Sequence, residues 1–332
     1  MCFPRLFSIK GLGKKCTALF LFLCMLFLSA CNSAPNHPKE QSESASSGIS
    51  AVGRSSNPIY FQSSEDENVE ADLKIILSSP KESSNPNDYI NAHRKEYENI
   101  IKVGDSALYY MLNEFKTGRA EGLRGEVMKA ICIEMLGTKN NVPEGSYHTA
   151  QEWYAKLEPL NPLPLPKAVY WETDDPDLDF VYASSIEWFA SQNEKDTVTI
   201  FAPVLYGSDR KGETTKLFAT VFMQDFQVLG DTIFETGGAV LPVAITATES
   251  GGTMKCTDIT QAKDGSYFAP SIREFCGTHK DIAEKMISRY SKEKYQELLK
   301  KNLQTYLKDV NISPKYYSNT VEKMTFADYL RK

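Results

Sequence analysis

The sequence of 332 residues predicts an α+β fold, with a helical domain followed by a curved antiparallel sheet that carries packed helices. Apolar residues recur at helical spacing over residues 69–158, whereas over residues 167–332 they mostly alternate with polar ones, as in strands. Proline occupies half of the segment 159–166 and favours an extended joint between the two patterns. The composition, 42% apolar and 24% charged, is that of a globular protein. We therefore expect two folded domains.

The N-terminal segment 1–30 has the pattern of a secretory signal. It contains four basic residues and no acid, followed by an apolar run at 16–28. That run is shorter than the roughly 20 residues of a membrane-spanning helix. It ends in Leu28-Ser29-Ala30-Cys31, which resembles the lipobox of bacterial lipoproteins. An uncleaved signal anchor, or cleavage elsewhere that leaves Cys31 unmodified, is the alternative.

The lipobox resemblance implies a location for the mature chain. It implies cleavage before Cys31, a diacylglyceryl group on the sulfur of that residue, and an N-acyl chain such as palmitate. Two or more acyl chains give stable membrane anchoring, whereas one does not. We expect a chain held at the extracytoplasmic face of the cell membrane. Residues 31–68, rich in Ser, Asn, Pro, Gln and Glu, are predicted to be a flexible tether.

The helical domain is predicted from residue 69 onward. Asn85-Pro86-Asn87 is a helix start signal, and the helix that follows carries His93 on its apolar stripe, so a half-buried core histidine is expected there. Gly104 ends that helix, and Asp105 is expected to cap the next one. The helices over 105–136 are similar to a helical hairpin of the HEAT type, so a small helical array is expected.

The sheet is predicted from strands that are rich in Val, Ile, Thr and Phe. Short glycine-containing connections favour an all-antiparallel meander. They include Gly207-Ser208-Asp209 and Gly237-Gly238. Helices predicted at 178–191 and 280–309 should cover one face of the sheet, broadly in the cystatin or NTF2 style. The predicted strands are Thr197–Tyr206, Thr215–Val228, Asp231–Thr236, Ala239–Thr248 and Met254–Ala262.

The sequence predicts no catalytic residue, metal site or cofactor. No two histidines have the spacing of a zinc-binding helix. An S-x-x-K pattern at Ser78 and Lys81 contains Pro80, which is incompatible with the helix that this motif opens in serine-acylating enzymes. A calcium-loop pattern at Asp175 has Phe180 and Ile186 where glycine and glutamate are required. A net charge of −6 also argues against binding to nucleic acid.

Two cysteines of the second domain are candidates for a disulfide. Cys256 and Cys276 lie in a chain predicted to face an oxidising environment, where disulfides persist. A bridge over a loop of about 20 residues would add roughly 3 kcal/mol in the chain-entropy model. A catalytic cysteine is the alternative, although no histidine is placed by the sequence to activate it. Cys132 lies in an apolar helix and is predicted to be buried.

Tyr267 and Phe268 are candidates for an aromatic rim around a ligand. They follow the last predicted strand in the segment Asp264–Pro270. The alternative is a tight turn whose aromatic side chains fill the core of the sheet.

Two stretches resemble extracytoplasmic regions that accompany BlaR-type antibiotic-sensing membrane metallopeptidases of Gram-positive bacteria. One runs from Ser83 to Ile90 and continues through Gly104-Asp105 and Ala107-Leu108, and the other combines Gly237–Val243 with Asp264–Tyr267. The zinc motif and the multiple membrane spans of that family are lacking. The resemblance therefore implies an accessory sensor or interaction module, and no protease activity or catalytic residue is carried over.

These observations together predict a binding or sensing lipoprotein that is not an enzyme. Its partners would be the membrane, reached through Cys31, and an envelope protein or a ligand derived from the cell wall. The alternative is an envelope-directed hydrolase whose catalytic carboxylates the sequence does not identify.

Overall fold

A computed structural model of the chain describes residues 64–167, 174–190, 193, 196–288 and 292–332. Within these residues the fold is mixed α+β, with eleven α-helices and a curved, mostly antiparallel sheet of six strands. The α+β prediction is thus confirmed. The predicted signal peptide, the lipidation residue Cys31 and the tether up to residue 63 lie outside the described residues.

Six helices form the helical region. The first begins at Ser64, earlier than the predicted start at residue 69. Asn85 caps the second helix as predicted, because its side chain accepts a hydrogen bond from the Asn87 N–H. The helices are α1 (Ser64–Ile76), α2 (Pro86–Ala92), α3 (Arg94–Val103), α4 (Asp105–Lys116), α5 (Gly122–Leu136) and α6 (Ala150–Lys156).

Two features of the helical region differ from the prediction. The single helix expected after Asn85 is divided at His93, whose backbone (φ −125°, ψ 49°) is not helical. His93 is half-buried, and its ring contacts Ser79 in the segment before α2. At α4 the capping residue is Gly104, and Asp105 is the first helical residue. The Asp105 carboxylate is directed to another part of the chain, as described below.

The sheet is built from three long strands and three short ones. β3 pairs with β2 along one edge; its other edge pairs with β4 at its C-terminal half and with β5 at its N-terminal end. The pairing of β3 with β5 is parallel, so the prediction of an all-antiparallel meander is wrong for this pair. The strands are β1 (Thr197–Lys211), β2 (Thr214–Leu229), β3 (Thr232–Ser250), β4 (Thr253–Gln261), β5 (Tyr316–Ser318) and β6 (Lys323–Thr325).

Gly237-Gly238, predicted to be a turn, lies inside β3 and forms a bulge. Asp225 pairs with Gly237 and Phe226 pairs with Glu235, so Thr236 is an extra residue on β3. A Cβ at position 238 would lie 2.7 Å from the backbone oxygen of Met223, which explains the glycine there. The predicted turn at Gly207-Ser208-Asp209 likewise lies inside a strand, β1.

Helices cover both faces of the sheet, which corrects the prediction of a one-sided layer. α7 (Pro176–Phe189) packs on one face, called here the α7 face, against side chains such as Leu217, Ala219 and Val221. The opposite face is covered by α8 (Phe268–Cys276), α9 (Lys280–Ser288) and α10 (Lys292–Asp309), and the chain ends in α11 (Phe326–Arg331). Within the helix predicted over 280–309 the structure describes α9 and α10, and residues 289–291 between them lie outside the described residues. The two helices contact different clusters, α9 near Phe218 and α10 near Phe222.

The helical region contacts the sheet at the end of β2 and the start of β3. Tyr109 of α4 stacks on Phe234 with ring centroids 4.2 Å apart. The Asp105 carboxylate accepts hydrogen bonds from the Asp231 N–H at 2.9 Å and from the Thr232 hydroxyl at 3.1 Å. Because Phe234 alternates with Ile233, which packs against α10, this contact lies on the α7 face.

Candidate functional site

The two predicted rim residues have different environments. Tyr267 ends a short 3-10 turn, and 66% of its surface is exposed. Phe268 begins α8 and packs against the apolar cluster between α8, α9 and the sheet. Only Tyr267 therefore presents its ring to solvent, and its role in ligand binding stays a prediction.

The structure does not bring Cys256 and Cys276 together, and both thiols are free. Cys256 lies on β4 and packs against the cluster beneath α7. Cys276 lies in the cluster on the opposite face, where its Sγ is 3.9 Å from the Met286 Sδ. The predicted disulfide is thus not formed. Burial raises the pKa of the Cys276 thiol to about 11, which disfavours its reactive thiolate form.

A row of polar groups crosses three strands on the α7 face. Thr199 of β1 pairs with Asp225 of β2, and Asp225 pairs with Gly237 of β3. The Thr199 hydroxyl donates a hydrogen bond to the Asp225 Oδ1 at 2.5 Å. The Asn193 amide donates to the Thr199 oxygen at 2.7 Å. The carboxylate is therefore held in place by a short chain of hydrogen bonds.

A second polar row lies beside the first. Gln227 of β2 pairs with Thr197 of β1, and its amide donates to the Thr197 hydroxyl at 3.0 Å and to the Asp196 carboxylate at 3.2 Å. On its other side Gln227 pairs with Phe234, which belongs to the core of the helical region. The two rows, called here the polar strip, thus lie between the cluster beneath α7 and that core. The strip consists of Asn193, Asp196, Thr197, Thr199, Asp225 and Gln227.

The glycine bulge borders this strip. Gly237 and Gly238 are exposed, and a Cβ at Gly237 would lie 3.2 Å from the Asp225 Oδ2. The absence of a side chain at that position leaves the backbone open next to the carboxylate. Two carboxylates, two hydroxyls, two amides and an exposed backbone at one place form a surface that can hydrogen-bond a polar ligand.

Sequence reasoning missed the polar strip because its residues come from two strands, β1 and β2, and from the connection before β1. The signal that could have found it is local. Asp225 and Gln227 alternate with the buried Phe226 and Val228, which places two polar side chains on a face that is otherwise apolar. The glycines were interpreted as a turn, so the register that brings Gly237 beside Asp225 was not predicted.

The part of the chain that the structure describes contains no group of three or more side chains able to hold a metal ion. No helix among the described ranges is both long enough and apolar enough to cross a membrane. No protein-family model matches the chain, and comparisons with curated proteins and with solved structures find no match.

Proposed function

We propose that the protein is a lipid-anchored extracytoplasmic binding protein that uses the polar strip as its ligand surface. The observation that supports binding is the Asp225 carboxylate, oriented by Thr199 and bordered by the exposed backbone of Gly237. The anchor rests on the Leu28-Ser29-Ala30-Cys31 motif. In this proposal Cys31 holds the chain at the membrane and the folded part faces the cell wall.

We propose a wall-derived glycan or amino sugar as the ligand. Asp196 and Asp225 offer acceptor oxygens to hydroxyl or ammonium groups, and Gln227 offers an amide beside them. Two carboxylates in the same strip disfavour anionic ligands such as nucleic acid. The chemistry of the strip therefore favours a ligand with several hydroxyl groups and no strong negative charge.

Binding is tested with purified soluble cell-wall fragments as the probe. We expect Asp225→Asn to weaken binding about tenfold, the equivalent of about 1.4 kcal/mol, because the amide supplies one acceptor oxygen in place of two. Asp258→Asn, on β4, is the matched control, because the Asp258 carboxylate lies outside the polar strip and accepts a hydrogen bond from the nearby Thr260 hydroxyl at 2.8 Å. Equal binding by both variants, or no binding by the native chain, would contradict the ligand proposal.

The anchor is tested by membrane fractionation of cells that express the full chain. We expect Cys31→Ala to move the chain out of the fraction that carries acylated protein, since the acyl acceptor is removed. Cys24→Ala, in the apolar run of the signal, should leave acylation unchanged. Acylation of the Cys31→Ala variant would disprove the assignment.

We also propose finer comparisons for the two regions of the fold. The pair α4 and α5 is assigned to the HEAT type of helical hairpin, and the curved sheet to the cystatin or NTF2 style. Support comes from the direct packing of α4 on α5 and from the length of β1, β2 and β3. These comparisons concern architecture and carry no function.

A further inference from the structure

We propose that Ser79 and His93 form a nucleophile–base pair that accepts acyl groups from esters. The Ser79 Oγ lies 2.9 Å from the His93 Nε2, and both side chains are half-buried. This distance is within the range expected for a serine and the base that activates it. The pair lies in the helical region, and the proposal does not depend on the polar strip.

The two residues occupy breaks between helices. Ser79 lies in the segment between α1 and α2, and His93 lies between α2 and α3. The His93 backbone is fixed, because its N–H donates to the carbonyls of Tyr89 and Ile90 and its carbonyl accepts from the Tyr97 N–H. The imidazole is therefore presented by a well-bonded junction, while partial exposure leaves the serine open to a small ester.

The proposed reaction is balanced and needs only water as a co-reactant. As the Ser79 Oγ forms a bond to the ester carbonyl carbon, its proton moves to the His93 Nε2. The carbon–alkoxide bond then breaks, and the alkoxide leaves with the proton from the imidazolium. Water then attacks the acyl carbon while His93 takes its proton, and the bond from that carbon to the Ser79 Oγ breaks. The acid is released, and the serine regains its proton from the imidazolium. An alkoxide leaves more readily than the anion of an amine, so esters are the class of substrate that this pair favours over amides.

The neighbouring serine provides a control within the same peptide. The Ser78 Oγ donates to the Ile75 carbonyl at 2.7 Å. A carbonyl oxygen cannot take up the hydroxyl proton during attack, whereas an imidazole can. Two adjacent serines thus differ in the partner of their hydroxyl group, and the proposal predicts that only Ser79 is activated.

The test uses a fluorophosphonate probe on the full chain, with the modified residue mapped by mass spectrometry. We expect labelling of Ser79 to be on the order of a hundredfold faster than that of Ser78, the effect of one general base. Ser78→Ala should leave the rate unchanged. His93→Gln should reduce labelling of Ser79 to the level of Ser78, because glutamine can form the hydrogen bond but cannot act as the base.

A second variant separates loss of the base from loss of the fold. His93→Ala should be inactive toward the probe and should regain labelling when imidazole is added, while circular dichroism reports on its folding. Equal labelling of the two serines, no labelling of the native chain, or labelling that survives His93→Gln would overturn the proposal. Loss of labelling in Lys81→Ala with retention in His93→Gln would also overturn it, in favour of the lysine.

Discussion

At the scale of single residues, the helical region contains a network of charges that connects three helices. Arg124 of α5 lies 2.7 Å from the Glu70 carboxylate of α1 and 3.0 Å from the Glu114 carboxylate of α4. Arg119 pairs with Glu114 from the other side at 2.6 Å. Tyr110, almost completely buried, donates to Glu70 at 2.7 Å. Removal of one member would leave its partners partly buried without their counter-charge, which is costly.

The pKa of Glu70 makes this network sensitive to acid. Burial alone raises the pKa of this carboxyl, but hydrogen bonds from Arg124 and Tyr110 and the arginine charge outweigh it. The pKa therefore lies below its ordinary value of 4.5. The folded state then holds the Glu70 proton less tightly than the unfolded state does. The stabilisation of the fold by the ionised Glu70 is therefore fully present above pH 4.5. It is lost as the pH falls through the lowered pKa.

We predict that Arg124→Met makes the free energy of unfolding less dependent on pH below about 4.5, because the lowered pKa of Glu70 returns toward its ordinary value. The variant should also be less stable at neutral pH, by about 3 kcal/mol. Urea unfolding of both chains at neutral pH and in acid checks this. Arg94→Met is the control, since its pair with Glu98 is more than half exposed on both sides and should contribute little. A parallel pH dependence in native and Arg124→Met chains would contradict the prediction.

At the scale of secondary structure, the role of a residue was predictable where its partner is close in sequence. It was not predictable where the partner lies far along the chain. Asn85 was recognised as a cap because its partner, the Asn87 N–H, is close in sequence. The same role was predicted for Asp105, and this prediction is wrong. The Asp105 carboxylate instead accepts hydrogen bonds from Asp231 and Thr232, far along the chain. The helical periodicity also did not predict the break at His93, because Ser79, which contacts the His93 ring, lies outside the helix.

The strands show the same division. The strands β1 and β2 were identified from their apolar and β-branched content, whereas the single strand β3 was predicted as two strands, Asp231–Thr236 and Ala239–Thr248. The short strands β5 and β6 were missed, because three residues carry too little pattern for a strand to be recognised. No residue of the polar strip was predicted, because the strip depends on the register between β1 and β2, and Tyr267, which the sequence did single out, lies outside it.

We predict that Asp105→Ala weakens the contact between α4 and the start of β3. Two donors lose a charged acceptor, which should lower the free energy of unfolding by about 1.5–3 kcal/mol. Hydrogen exchange of the Asp231 amide should become faster, since its N–H donates to this carboxylate. Asp105→Asn keeps an acceptor oxygen and should lower the free energy of unfolding by less. Unchanged exchange at Asp231 in the alanine variant would show that the contact does not hold the strand.

At the scale of the whole molecule, the C-terminal segment joins the two regions of the fold. β5 pairs with the start of β3, and Tyr317 and Tyr329 stack with ring centroids 3.8 Å apart in the cluster beneath α10. Lys323 of β6 lies 3.0 Å from the Ser106 hydroxyl of α4 and 3.5 Å from the Glu65 carboxylate of α1. The last strands of the sheet thus contact helices at the opposite end of the described chain.

We predict that removal of residues 316–332 strongly destabilises the fold. Tyr317 and Tyr329 are each at least nine-tenths buried, and burial of a large side chain contributes about 1.5–3 kcal/mol. Loss of both is a large fraction of the about 5–15 kcal/mol that stabilises a typical protein. The melting temperature and resistance to proteolysis should fall. Removal of Arg331 and Lys332 alone, whose side chains are 76% and 58% exposed, should have little effect. Native stability of the chain that lacks residues 316–332 would contradict this prediction.

The extra residue in the middle of β3 decides which side of the sheet each later side chain occupies. Ile233, before Thr236, faces α10, and Val243 and Ile245, after it, face α7 although their numbers are also odd. Deletion of Thr236 would move each later side chain of the strand to the opposite face of the sheet. One inserted position therefore decides which of the two hydrophobic layers receives each side chain in the second half of the strand.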